Sequence, residues 1–82
     1  MREKIEQYFD VSDLSNESRD RKHVDARRLY AYLLQSKGQS IKQIADELNV
    51  SESRACRYVQ EATDLIYAKH KNVIKSAYCE LG

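Results

Sequence analysis

The chain has 82 residues, 41% of them apolar and 33% charged, with no proline and a formal net charge of +1. That length suits one compact domain, residues 1–82, large enough for a core and too short for a second unit. The apolar fraction argues against disorder, and no apolar run approaches the roughly 20 residues a membrane span requires.

Two glycines, no proline and few β-branched alternations point to an all-α fold of about five helices. Glu3 to Phe9 reads as the first, with Ile5, Tyr8 and Phe9 on one face. Val11 to Asn16 is a short connection in which Leu14 anchors to the core. Polar residues from Ser15 to Lys22 read as a loop, and Asp20 can start the next helix. The second helix runs from about His23 to Lys37, with Val24, Leu29, Tyr30, Leu33 and Leu34 spaced for burial. Gly38 suits its left-handed exit.

Ser40 to Gln60, SIKQIADELNVSESRACRYVQ, reads as a complete helix-turn-helix within about 40–66. Ser40 and Gln43 have the spacing of a capping box, and Ile44, Ala45 and Leu48 give the short helix an apolar face. Asn49 tolerates the left-handed conformation of a tight turn, and Ser51 can cap the helix that follows. The small side chain of Ala45 permits two helices to cross closely on a short turn. Val50 plugs the turn into the core, while Ala55, Tyr58 and Val59 face inward. The plainer alternative is an ordinary pair of amphipathic helices.

A further apolar pattern, Val73, Ile74, Ala77, Tyr78 and Leu81, predicts a last helix over about 70–81. A break near Lys69 to Asn72 is expected, since one helix from Ser51 to Leu81 is unusually long for so small a domain. This last helix either folds back on the first and second helices or pairs with a second copy in a homodimer. The six tyrosines fall mostly on inward faces, so they read as core and not as a base-stacking platform.

In a helix-turn-helix, the exposed N-terminal part of the second helix enters the major groove. At about 100° per residue its outward positions are Glu52, Ser53, Cys56, Arg57, Gln60 and Asp64, with Arg54 on the shoulder. Arg57 suits guanine and Gln60 adenine, while Ser51 and Ser53 suit phosphates or base edges. Glu52 either accepts from cytosine or complements the positive end of its own helix. The alternative for each is a solvated surface.

Charge is unevenly distributed. Met1 to Glu17 carries two basic and five acidic residues, whereas Ser18 to Lys42 carries seven basic and two acidic ones. That positive block, which includes Lys22 and Lys42, precedes the motif and has the footprint expected of phosphate contact. Its plainer reading is a solvated helix flank. Gln43 to Ala68 is acidic, with two basic and five acidic residues.

Cys56, Cys79, His23 and His70 share no ligand spacing, so neither zinc nor another metal or cofactor is expected. Both cysteines read as small, partly buried side chains in a reducing compartment. There is no nucleotide-binding glycine loop and no carboxylate cluster, so neither an enzyme nor a small-molecule substrate is expected. No signal-peptide pattern precedes Ile5, which makes a cytoplasmic location the default.

From Ile5 to Leu81 the chain resembles the C-terminal DNA-binding domain of the bacterial replication initiator DnaA. IEQYFDVSDL is similar to that family's helix ending in Tyr-Phe before an Asp-Leu turn. SRDRKHVDARRLYAYLL is similar to its basic loop and the long helix after it. The motif and a last helix complete the order, implying an all-α domain of DnaA C-terminal or Trp-repressor-like type. The resemblance implies that loop arginines, here Arg19 and Arg21, enter the minor groove while the motif reads the adjacent major groove. Arg27 falls where the family has the arginine that opens its long helix. The family's Gly-Gly-Arg-Asp-His-Thr-Thr-like signature is absent, since LNVSESRA is one residue shorter and shares only an acidic residue, Glu52. The ATPase domain that defines the initiator has no counterpart in these residues.

The expectation is therefore a small protein that binds double-stranded DNA, a regulator or replication accessory of phage or mobile-element type. The alternative is a protein-interaction adaptor on the same scaffold, motivated by the acidic motif segment and the extra apolar helix.

Overall fold

A computed structural model describes residues 2–11 and 21–81. Five helices follow in order: α1 Arg2–Phe9, α2 Arg21–Ser36, α3 Ile41–Leu48, α4 Glu52–Ile66 and α5 Val73–Leu81. The expected all-α class and helix number hold among the described residues, and no described helix is long and apolar enough to cross a membrane. Leu14 and Arg19 lie outside the described residues.

The first three helices end alike. Asp10, Gly38 and Asn49 each take positive φ, at 56°, 94° and 57°. The residue after each then donates back to the carbonyl five positions earlier: Val11 to Glu6 at 2.9 Å, Gln39 to Leu34 at 3.2 Å, Val50 to Ala45 at 3.0 Å. This left-handed closure satisfies terminal carbonyls and turns the chain sharply, which is why such short connections suffice. Glycine and asparagine reach that conformation at low cost, so two of the three exits are legible as sequence.

All four other helices pack on α2, and nine of its sixteen residues are buried. Ala26, Leu29 and Ala31 are fully enclosed there, as are Ile5 of α1, Ile44 of α3, Ala55 and Ala62 of α4, and Ile74 and Ala77 of α5. Alanines at so many contacts let the helix axes approach closely, while isoleucine and leucine fill the space between them. The last helix thus folds back as expected, against α2, α4 and α1. The chain breaks between Ile66 and Val73, an interval that contains the break expected near Lys69 to Asn72 and starts earlier.

Polar links fix how the helices lie on α2. The Tyr30 hydroxyl of α2 donates to Glu47 Oε1 of α3 at 2.9 Å, and Arg2 of α1 reaches the same carboxylate at 3.4 Å. Arg28 of α2 donates to Glu61 of α4 at 3.2 Å and to Asp25 at 3.0 Å. Asp25 is buried, so this pairing compensates a charge that would otherwise be costly to enclose.

Several expected positions differ. The second helix begins at Arg21, two residues early, so Arg21 and Lys22 are its first turn and not loop. Tyr8 is 36% exposed: Ile5 and Phe9, one turn apart, take the inward contact, and Tyr8 lies at its margin, edge-on to Phe9 at 5.2 Å. Val24 is half-buried, and Val73, the opening residue of α5, is 43% exposed. Cys79 is exposed instead of partly buried, because its helix turns only Ile74 and Ala77 inward.

Burial and the bond to Glu47 push the Tyr30 hydroxyl up to about 12 from 10.0. A raised pKa means the fold favours neutral tyrosine. That stability is complete below pH 10 and is lost as pH climbs toward 12. Denaturant midpoints should accordingly fall above about pH 10. Tyr30→Phe should flatten that fall and cost about 1 kcal/mol at neutral pH, since half-exposed Glu47 keeps its water. Ile74→Ala should cost about 2–5 kcal/mol in the same assay, with α5 completing the core.

Candidate nucleic-acid interface

The α3–α4 unit is built by a cap at the start of each helix and a left-handed turn between them. Ser40 Oγ accepts from Gln43 N at 3.2 Å while Gln43 Oε1 accepts from Ser40 N at 3.0 Å, closing the expected capping box. Asn49 sits at φ 57°, ψ 47°, and Ser51 Oγ accepts from Arg54 N at 3.2 Å. Val50 packs on the core from between them. These contacts set where α4 begins and which of its faces turns outward.

Ala55, Tyr58, Val59, Ala62 and Ile66 form the buried stripe of α4. Opposite them Glu52, Ser53, Arg57, Gln60 and Asp64 are exposed, and Arg54 is exposed on the flank, as the helical period predicts. Cys56 is the departure: it is half-buried, and Gln60 Nε2 lies 3.7 Å from its sulfur. Ser51, Ser53, Arg54, Arg57 and Tyr58 line an open cleft of about 290 Å³ at the start of the helix.

Charge pairing separates the arginines. Arg28 is held by Asp25 and Glu61, and Arg2 by Glu6 and Glu47. Arg54 and Arg57 have no carboxylate within ion-pair distance among the described residues. Asp64, on the same face as Arg57, lies about 10 Å further along the axis at ~1.5 Å per residue. That exceeds a Debye length of about 8 Å at physiological salt, so its repulsion is largely screened at the cleft. Glu52 is nearer, in the first turn, where a carboxylate complements the helix dipole.

The other expected site residues divide. Lys42 is exposed on the first turn of α3. Arg21 and Lys22 are exposed at the start of α2, Arg21 in a loose 3.8 Å pair with Asp25. They lie beside Leu65, near the far end of α4, in a second and larger cleft. From Arg54 to Leu65 is about 16 Å along the axis. Arg27 must be removed from the set: it is 5% exposed and engaged within the fold, because its position on α2 faces the interior. That second cleft was missed by sequence reasoning, since α1, the start of α2 and the α4–α5 turn meet only in the fold.

No group of three or more His, Cys, Asp or Glu among the described residues is placed to hold a metal ion. No protein-family model matches the chain, and neither a curated protein nor a solved structure does.

The joint makes two measurable demands. Asn49→Val should destabilise the protein by about 1–2 kcal/mol, the cost of a left-handed conformation in a β-branched residue, whereas Asn49→Gly should be close to neutral. Ser51→Ala should cost about 1 kcal/mol by uncapping α4. Thermal or urea unfolding of the three variants reads both.

Proposed function

We propose that the protein binds duplex DNA, with α3 and α4 acting as a helix-turn-helix and the first two turns of α4 lying in the major groove. The observation that carries this reading is the pair Arg54 and Arg57. Both are exposed and lack a carboxylate partner among the described residues, on a helix whose start is fixed by a cap and a left-handed turn. Positioned guanidinium groups suit guanine edges and phosphates, and bidentate pairing needs the rigid base that α4 supplies. Ser51, Ser53 and the free N–H groups of the first turn add phosphate donors. Gln60, one turn beyond Arg57, suits adenine, and Lys42 reaches a flanking phosphate.

Arg21 and Lys22 extend the contact. They line a cleft with Leu65, which lies about 16 Å from Arg54 along α4, of the order of half a turn of B-DNA, about 17–18 Å. A duplex engaged by α4 in its major groove therefore presents flanking backbone to the start of α2, where Arg19 joins them in sequence. Resemblance to the DnaA C-terminal domain supports the same division of labour. A regulator or replication accessory in the cytoplasm, of phage or mobile-element type, is the role this implies.

Selection of duplexes from a random library, followed by anisotropy titration, tests the reading. Arg57→Ala should cost about 1–3 kcal/mol and relax one base position. Arg21→Ala should weaken binding to most sequences and lower the salt slope by about 0.9. Variants that all bind like the parent would remove this surface from consideration. The base-reading positions carry Ser51, Glu52, Ser53 and Arg54 in place of the DnaA signature. A DnaA-box duplex should therefore be preferred over a scrambled one by less than about tenfold, or 1.4 kcal/mol.

A further inference from the structure

The cleft beside Arg21 and Lys22 has apolar walls that contact with DNA does not explain. It measures about 740 Å³, opens to solvent, and is bounded by α1, the start of α2, the end of α4 and the α4–α5 turn. Its walls are of two kinds. Phe9, Leu65 and Ile74 back it, with exposed Tyr8 and Val73 at the mouth. Cations from two elements border it, Arg21 and Lys22 on α2 and Lys71 on the turn, with His70 beside it.

The electrostatics leave a net attraction for anions. Arg28 also borders the cleft, but both its faces are engaged by Asp25 and Glu61. Asp25 is neutralised by Arg28 and loosely by Arg21. Lys22 and Lys71 have no carboxylate within ion-pair distance among the described residues.

The wall carrying Lys71 is preorganised. Asn72 Nδ2 donates to the Leu65 carbonyl at 2.8 Å and its Oδ1 accepts from Lys75 N at 2.8 Å, so one side chain both closes α4 and caps α5. Lys75 Nζ donates to the Ala68 carbonyl at 2.7 Å, a second tie across the same turn. A turn held at both ends loses little further freedom when a ligand arrives.

We propose that this cleft docks an acidic segment of a partner protein, one bulky apolar side chain seated between Tyr8 and Val73 and carboxylates on either side of it. A phosphodiester backbone seeks cations and N–H groups and gains nothing from the apolar walls. A single small carboxylate leaves the apolar walls unused. A segment with an apolar anchor between acidic residues uses both features, as helix-in-groove and acidic-motif recognition do elsewhere. Occupancy takes Arg21 and Lys22 from flanking DNA phosphates, so segment and duplex antagonise each other in part. That last consequence rests on the DNA-binding reading; the docking itself does not.

The experiment is selection of a displayed random dodecapeptide library on the full chain without DNA. Enriched peptides are then titrated against the parent, Lys71→Glu and Val73→Asp, each checked for folding by circular dichroism. Both positions are exposed, so the fold should tolerate them. Peptides with an aromatic or large aliphatic residue flanked by Asp or Glu should be enriched, and each variant should weaken them at least tenfold. Failure to enrich, enrichment of peptides without carboxylates, or binding by both variants as tight as by the parent would overturn the proposal. So would loss of duplex affinity in Lys71→Glu with peptide affinity unchanged, which would give the cleft to nucleic acid. Arg57→Ala, tested on both ligands, should lose duplex and keep peptide, so failure of either reading is seen separately.

Discussion

The constraint on which the structure depends is the enclosure of α2. A helix touched by all four others has little surface left for water, and each neighbour must come close without leaving gaps. Fully buried Ala26 and Ala31, with Ala55, Ala62 and Ala77 on the facing helices, meet that demand. The same crowding accounts for the charged groups inside: at Asp25 and Arg27, helical geometry leaves no outward direction. The Asp25–Arg28–Glu61 chain resolves part of the problem and clamps α4 lengthwise to α2. Removing Arg28 would strand the buried Asp25 carboxylate, which is more damaging than never having had the pair.

From that clamp follows the geometry of both clefts. Glu61 lies midway along α4, and Arg28 neutralises it there. The helix consequently offers Arg54 and Arg57 near its start and the Leu65 cleft near its end. One rigid element carries two surfaces of different chemistry: hydrogen-bonding and cationic at the first, apolar with cations on its rim at the second. Because the α3–α4 joint ends in caps and a left-handed turn instead of a flexible linker, the first surface is displayed without an ordering cost.

Much of this was readable before folding, and the reasons are local. Ser40, Gln43, Asn49 and Ser51 act on their own backbone neighbours, so spacing alone announces them, and Gly38 declares its own φ. The inward stripe of α4 follows from its period. What escaped depends on several helices at once. Arg27 looks like a DNA-facing cation in sequence, and only the coverage of α2 shows that it is enclosed. Tyr8 and Val73 belong to apolar patterns yet stand at the edges of contacts, where the period cannot tell margin from centre. Arg21 and Lys22 read as loop because polar helix starts resemble loops. The large cleft joins residues from Tyr8 to Ile74, a meeting that no spacing rule encodes.

The central claim is that the start of α4 is a duplex-binding surface. Its most direct test is a residue-resolved one: ¹⁵N–¹H spectra of the protein during titration with a short duplex at low salt. The account predicts shifts concentrated on Ser51 to Gln60, with weaker ones at Lys42, Arg21 and Lys22, and little change at Val73 to Leu81. An unchanged spectrum, or shifts confined to α5 and the α4–α5 turn, would contradict it.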